Sequence, residues 1–266
     1  MDFAICSWPG KREDQQDAVV TVRLESRALT VIADGVGGSE YGGIASRLAV
    51  DEFACAELES ESDNPIKRLE QSLKHTNEAI ERLKQAQPQY ADMATTLTAA
   101  RIQKGMLWWI SVGDSPLYLV TKTGLCRLNE DHSVGGSLDA MARKGFMTEK
   151  EAKSDPARHQ LTSALSGTDI PFVDCPNRGL PIANGQQILI GSDGMKSLSP
   201  DEVFDAIVSD PNPQSAVDSI LSKLKALNRP DQDNVTLALS SKIRAPWHHG
   251  LRQYLQMRAA GVSRFR

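Results

Sequence analysis

No apolar run in this chain approaches the length needed to cross a bilayer. No two of its four cysteines, Cys6, Cys55, Cys126 and Cys175, form a CxxC pair. Spacing that wide excludes a zinc knuckle and a small disulfide framework, and reads as reduced, packed thiols. The start, MDFAICSWPGKRED, lacks a basic stretch followed by an apolar one, so no signal peptide is expected and the protein is expected in the cytoplasm. Basic excess is missing as well: a net charge of −4 argues against a general nucleic-acid binder. Five scattered histidines are too few for a histidine-metal site.

Several nucleophile and phosphate-loop chemistries fall out in the same way. The glycine-rich stretch GVGGSEYGG (35–43) carries no GK[ST], so it is not a Walker loop. Ser192 lies in GSDG, not in the GxSxG of a serine hydrolase. None of the cysteines sits beside a phosphate-binding loop that would lower its pKa.

What is present is a 266-residue chain, enough for one large domain or two small ones. Short β-branched runs dominate: 3–7, 18–24, 28–34, 95–102, 106–112, 116–121, 186–192 and 234–240. Turns as short as QKG (103–105) and KTG (122–124) favour antiparallel hairpins. Two long helices interrupt the strands. In the first, 44–58, Ile44, Leu48, Phe53 and Leu58 are expected on one face. The second places Ile66, Leu69, Leu73, Thr76, Ile80 and Leu83 in a three-four repeat, with Asn64 as N-cap and Pro65 at the first helical position. Thr148 with Glu151 and Ser199 with Glu202 have capping-box spacing, and a further helix is expected over 213–227. The acidic stretch ELESESDN (57–64) reads as a solvated loop between the long helices. Trp108 and Trp109, adjacent in a strand, should face opposite ways. Strands in two batches with helix pairs between them predict two sheets packed face to face, with helices outside.

Aspartate recurs where these strands end or begin. ALTVIAD runs into Gly35, WWISVG into Asp114, ILIGS into Asp193–Gly194, while Asp233–Asn234 opens VTLAL and Asp17 opens AVVTV. Any one pair is ordinary turn chemistry. Together they can converge on one rim, and clustered carboxylates repel unless protonated or bridged by a cation. Oxygen ligands without His or Cys select a hard ion, Mg²⁺, Mn²⁺ or Ca²⁺, over zinc. Two such ions about 3.5–4 Å apart would activate a water and polarise a phosphoryl oxygen, which is chemistry for a phosphate ester.

At these residues the chain resembles the protein phosphatase type 2C family of metal-dependent Ser/Thr phosphatases, its compact bacterial members above all. The motifs fall in family order: RxxxxD (Arg12 to Asp17), DGVGG (34–38) followed by AS (45–46), and TT (95–96). GDS (113–115), DHS (131–133), LTSALSG (161–167), SDG (192–194) and DNVT (233–236) complete the series. The resemblance implies an α+β fold, an αββα sandwich of two antiparallel sheets flanked by helix pairs, over 1–243. It implies hydrolysis of phosphoserine and phosphothreonine in proteins by a metal-activated water, without a covalent intermediate. It implies Mn²⁺ or Mg²⁺, with Asp34, Asp193 and Asp233 on one ion and Asp34 with the Gly35 carbonyl on a second, Asp17 acting through water. Asp114 would join Asp193 around a looser third ion. Arg12 matches the family's phosphate clamp, a role a guanidinium fork suits because it can bond two oxygens at once.

Three positions depart from the family pattern. Gln16 stands where many members have Glu, Val36 where animal members have a histidine, and Pro116 where an arginine is usual. The resemblance also implies phosphoprotein substrates of a bacterial Ser/Thr kinase and a substrate-facing flap over 134–160. His132 is expected to make a structural hydrogen bond. Two other readings stand beside this one: a pseudophosphatase that recognises phosphoproteins without turnover, and a hydrolase of small phosphates. The end of the chain is the outlier in charge. Residues 242–266 carry six Lys or Arg and no acid, so the tail is about +6 and the rest about −10. Over 244–266 a loosely attached basic tail is expected, its partner unspecified.

Overall fold

The structure, a computed structural model, describes residues 1–24, 27–36, 41–241 and 243. The expectation for the basic tail therefore lies outside the described residues. Two five-stranded sheets stack on each other. The first runs in the order β1 (Asp2–Trp8), β10 (Val235–Ser241), β9 (Gln187–Gly191), β6 (Leu117–Val120), β7 (Leu125–Arg127). The second runs β2 (Asp17–Arg23), β3 (Arg27–Asp34), β4 (Leu97–Gln103), β5 (Met106–Val112), β8 (Leu180–Pro181). Every recorded pairing is antiparallel.

Both faces of each sheet are covered, so strand alternation sorts residues between two dry layers. From β3, Leu29, Val31 and Ala33 pack under α1 (Gly42–Glu59) and α2 (Pro65–Ala86), while Ile32 enters the layer between the sheets. From β10, Val235, Leu237 and Leu239 pack under α5 (Pro200–Val208) and α6 (Pro213–Leu227), while Ala238 joins Ile32. Trp109 is buried between the sheets and Trp108 packs on the α1–α2 side, as expected of neighbours in a strand. The α+β, αββα architecture expected from the sequence is the one observed.

The helix ends follow local chemistry. Asn64 accepts from the Ile66 and Lys67 amides, with Pro65 at the first helical position. Both capping boxes form, Thr148–Glu151 at α4 (Glu149–Ser154) and Ser199–Glu202 at α5. With α3 (Val134–Arg143), α4 supplies the two short helices of segment 134–160.

Two expectations need correcting. The buried face of α1 is lined mainly by small residues around Phe53: Ala45, Ala49, Val50, Phe53 and Ala54 are buried, while Ile44 and Leu48 pack at its margin and Leu58 is only partly buried. Small residues let the helix lie close to sheet and neighbour, which a search for bulky side chains overlooks. The stretch 57–64 is not wholly a solvated loop either. The helix runs on through Glu59, and Glu57 is fully buried. Its carboxylate meets the guanidinium of Arg101 and lies 3.2 Å from Arg68 Nε, and Arg68 also donates to the Glu57 carbonyl. Burying a charge is tolerable only when it is paired in this way.

Candidate active site

Asp17 and Asp34 occupy one end of the second sheet. Asp17 is the first residue of β2, Asp34 the last of β3, and the register sets them directly opposite each other. Like charges in that relation destabilise a sheet. The pair is nonetheless firmly held. The Asp34 amide donates to Thr96 Oγ1 (3.0 Å), and Thr95 Oγ1 and the Thr96 amide both donate to the Asp34 carbonyl (2.9 and 2.8 Å). Thr96 Oγ1 in turn bonds Ser115 Oγ (2.8 Å), tying the TT and GDS motifs together.

The first sheet supplies the opposing wall. Asp193 opens a 3₁₀ turn (Asp193–Ser197) after β9, and Asp233 lies just before β10. A Cβ at Gly194 would lie 2.0 Å from the Asn234 carbonyl oxygen, so only glycine lets SDG and DNVT meet backbone to backbone. Asn234 then anchors the loop that carries Arg12: its amide nitrogen donates to the Pro9 and Asp14 carbonyls, and its Oδ1 accepts from the Gln16 amide (2.8 Å). A Cβ at Gly35 would lie 2.4 Å from the Gly42 carbonyl, a second close backbone approach beside the carboxylates.

Electrostatics report the crowding. Burial, then Asp17, Asp193, Asp114 and Asp233, push the Asp34 carboxyl well above its ordinary range. Asp193 is pushed up to about 7, by burial first and then by Asp114. Asp17 is pushed up to about 6, mainly by burial. One of its oxygens, Oδ2, accepts from the Ser192 hydroxyl (2.7 Å); the other, Oδ1, is buried with no partner. An orphaned buried carboxylate oxygen is costly unless something positive is to bind it.

The structure thus brings Asp17, Asp34, Asp193, Asp114 and Asp233 within mutual electrostatic reach. Among the described residues, no three His, Cys, Asp or Glu side chains are placed to hold an ion as they stand. Two of the carboxylates are engaged by the chain's own cations. Arg12 Nη2 lies 2.8 Å from Asp233 Oδ2, both side chains well exposed, and Lys196 Nζ lies 2.6 Å from Asp114 Oδ2. Burial pulls the Lys196 ammonium down, but Asp114 and Asp131 outweigh it and leave its pKa above the ordinary value. Lys196 and Ser192 were not singled out from the sequence as site residues: a lysine near a turn reads as solvated, and a serine beside Asp193 as turn chemistry. Neither local pattern carries a signal, since each finds its partner far off in the chain, Ser192 on β2 and Lys196 in the loop after β5.

His132 takes the structural part expected of it. Its Nδ1 accepts from the Gly113 amide (3.3 Å), its own amide donates to the Gly113 carbonyl (3.1 Å), and burial holds its pKa below the ordinary value. Gln16 Oε1 sits where a Cβ on Gly42 would be 2.7 Å away, against the start of α1.

Oxygen donors without His or Cys, one of them unpartnered, fit hard divalent cations, and an exposed guanidinium beside them fits a phosphate. The class defined is a metal-dependent phosphoric ester hydrolase on an αββα sandwich. The model of the family described as Protein phosphatase 2C matches residues 10–229, and the chain belongs to that family. Its activity is that of a metal-dependent protein serine/threonine phosphatase. Protein phosphatase PhpP of Streptococcus pneumoniae is 29% identical over 236 residues, 87% of this chain and 93% of the relative. The crystal structure of the Mycobacterium tuberculosis serine/threonine phosphatase PstP/Ppp superposes with a TM-score of 0.77 at 25% identity, covering 90% of this chain and 97% of that one. A structure of the PstP catalytic domain in complex with 2 manganese ions shares the fold, with a TM-score of 0.74 at 24% identity, over 90% and 97% of the two chains. No helix among the described residues is long and apolar enough to cross a membrane.

Proposed function

We propose that the reaction runs at a centre of two Mn²⁺ or Mg²⁺ ions held by Asp17, Asp34, Asp193 and Asp233, with the Gly35 carbonyl as a further oxygen. The observation that carries this is the opposed Asp17–Asp34 pair, raised in pKa and with Asp17 Oδ1 unpartnered. When bound, such ions activate a water and polarise a phosphoryl oxygen. Ser192 holds the Asp17 carboxylate, and Thr95 and Thr96 fix the Asp34 backbone, before any ligand arrives. Arg12 exchanges Asp233 for the substrate, forking onto two phosphate oxygens. Its loop is tethered by Asn234, which keeps the guanidinium at the mouth of the site.

The substrates we propose are phosphoserine and phosphothreonine proteins of a bacterial Ser/Thr kinase, in line with the bacterial phosphatases the chain is similar to. We place the enzyme in the cytoplasm, where its four free cysteines would stay reduced. Segment 134–160, with α3 and α4, is proposed as a flap beside the site: Ser133 of the DHS motif, one residue after His132, caps α3. Residues 1–243 are proposed as the catalytic domain.

The test is turnover of phosphoserine and phosphothreonine peptides against a nucleotide monophosphate, with Mn²⁺ or Mg²⁺, and EDTA as control. Metal-dependent release of phosphate from the peptides is expected. Peptide binding without turnover, or a preference for the nucleotide, would sink this reading.

A further inference from the structure

Asp114 was expected to share a third, looser ion with Asp193. Its carboxylate is already paired with a cation of the chain. Asp114 is 6% exposed, and its Oδ2 lies 2.6 Å from Lys196 Nζ. The same ammonium lies 3.7 Å from Asp131 Oδ2. Arg127 completes the group, with Nη1 donating to Asp131 Oδ2 (2.7 Å) and Nη2 to the Asp114 carbonyl (3.0 Å). Ser133 Oγ donates to the remaining oxygen of Asp131 (2.5 Å). Two carboxylates therefore meet two cations, and Asp131 is fully engaged. No ion pair to Asp17 or Asp34 occurs among the described residues, so the two sides of the site differ in what they lack.

The placement of Lys196 follows from local geometry. It stands three residues after Asp193 within one 3₁₀ turn. Three residues per turn bring positions i and i+3 onto the same face, so the lysine stem rises over the Asp193 side and its ammonium reaches Asp114. That carboxylate is one of the two that an ion shared with Asp193 would need. A divalent cation there would face the ammonium at short range and would have to displace it from a buried carboxylate.

We propose that the Lys196 ammonium is the resident cation of the Asp114–Asp193 side of the site, so that this chain binds two divalent ions and not three. This rests on the two-ion centre proposed above, and the experiment separates the two ideas. Full-length protein is dialysed to equilibrium against rising Mn²⁺, and bound metal is counted per chain, with no activity readout. Wild type is expected to saturate at two ions. Lys196→Met, close in size but uncharged, is expected to rise to three. Adding Asp114→Asn to it should return the count to two, and Lys196→Arg should stay at two. A wild-type count of three that drops on Asp114→Asn alone overturns the lysine proposal. So does a folded Lys196→Met that remains at two. If that variant does not fold, as judged by circular dichroism, Lys196→Gln takes its place, and the wild-type count still decides. A wild type that binds no Mn²⁺ overturns the metal centre itself and not the role of the lysine.

Discussion

Asp17 and Asp34 face each other across the β2–β3 pair, one carboxylate opening its strand and the other closing its own. A folded chain keeps two acids in that relation at a cost, and the cost is recovered only when a cation arrives. The consequence is separable in the laboratory. Asp34→Asn and Asp17→Asn should each raise the stability of the metal-free protein by about 1–3 kcal/mol, because repulsion and desolvation both fall away. In a chain this size that is about 2–4 °C in Tm per kcal/mol. The same variants should lose the rise in Tm that Mn²⁺ gives the wild type. A metal-free variant less stable than wild type would mean the pair is not strained.

Catalysis should follow the carboxylates. Asp34→Ala and Asp193→Ala are expected to lower kcat/KM on a phosphopeptide at least about a thousandfold, some 4 kcal/mol of barrier, while circular dichroism is unchanged. Near-wild-type turnover in either, with bound metal confirmed absent, would sink the metal mechanism.

Arg12 calls for a different signature. Its pair with Asp233 is exposed on both sides, so removing it should leave the stability within about 1 kcal/mol of wild type. Arg12→Ala should raise KM about tenfold or more while kcat changes less, and Arg12→Lys should recover only part of the loss, since an ammonium cannot bond two oxygens in a fork. An unchanged KM in Arg12→Ala would exclude the phosphate-clamp role.

The pH dependence has a definite sign. An aspartate's ordinary pKa is 3.8; in the folded, metal-free protein burial first of all pushes Asp17 up to about 6 and Asp193 up to about 7. Between those values the native state holds more protons than the unfolded one, so stability falls as pH rises. Metal binding reverses the preference by favouring the charged carboxylates. The Tm gained on adding Mn²⁺ should therefore widen from about pH 5 to about pH 7.5, groups elsewhere cancelling in the difference. A gain that stays constant over that range would show that these carboxyls do not titrate as proposed.

Features set by local chemistry were legible in the sequence: the Asn64 cap, both capping boxes, the strand runs and the aspartates at their ends. Each is written within a few residues. Features set by pairing across the fold were not. Glu57 looked like one acid among several in ELESESDN, because its partner Arg101 lies 44 residues away on β4. Lys196 looked solvated because Asp114 is 82 residues distant. The alanine-lined face of α1 escaped a search for bulky apolar residues, although close packing of a helix on a sheet favours small ones.

Glu57 offers the sharpest test of what such hidden pairing contributes. It is fully buried, ion-paired with Arg101 and Arg68, and one of its oxygens, Oε2, has no hydrogen-bond partner. Burial, then the nearby Arg27, pulls the Arg101 guanidinium down to about 10, so it stays charged at neutral pH. Glu57→Ala would leave that charge buried and unpaired, a loss of about 3–5 kcal/mol. Replacing Arg101 by Met at the same time removes the more deeply buried stranded charge, while Arg68 keeps its bonds to the Ser60, Ser62 and Glu57 carbonyls, so the double variant Glu57→Ala/Arg101→Met should be more stable than Glu57→Ala alone. The site carboxylates belong to other strand ends, so kcat/KM measured well below Tm should stay within about threefold of wild type in both. Urea unfolding of the two variants gives the answer directly. If Glu57→Ala costs less than about 1 kcal/mol, the pair is not holding α1 to the sheet, and the helix owes its place to its alanine face alone.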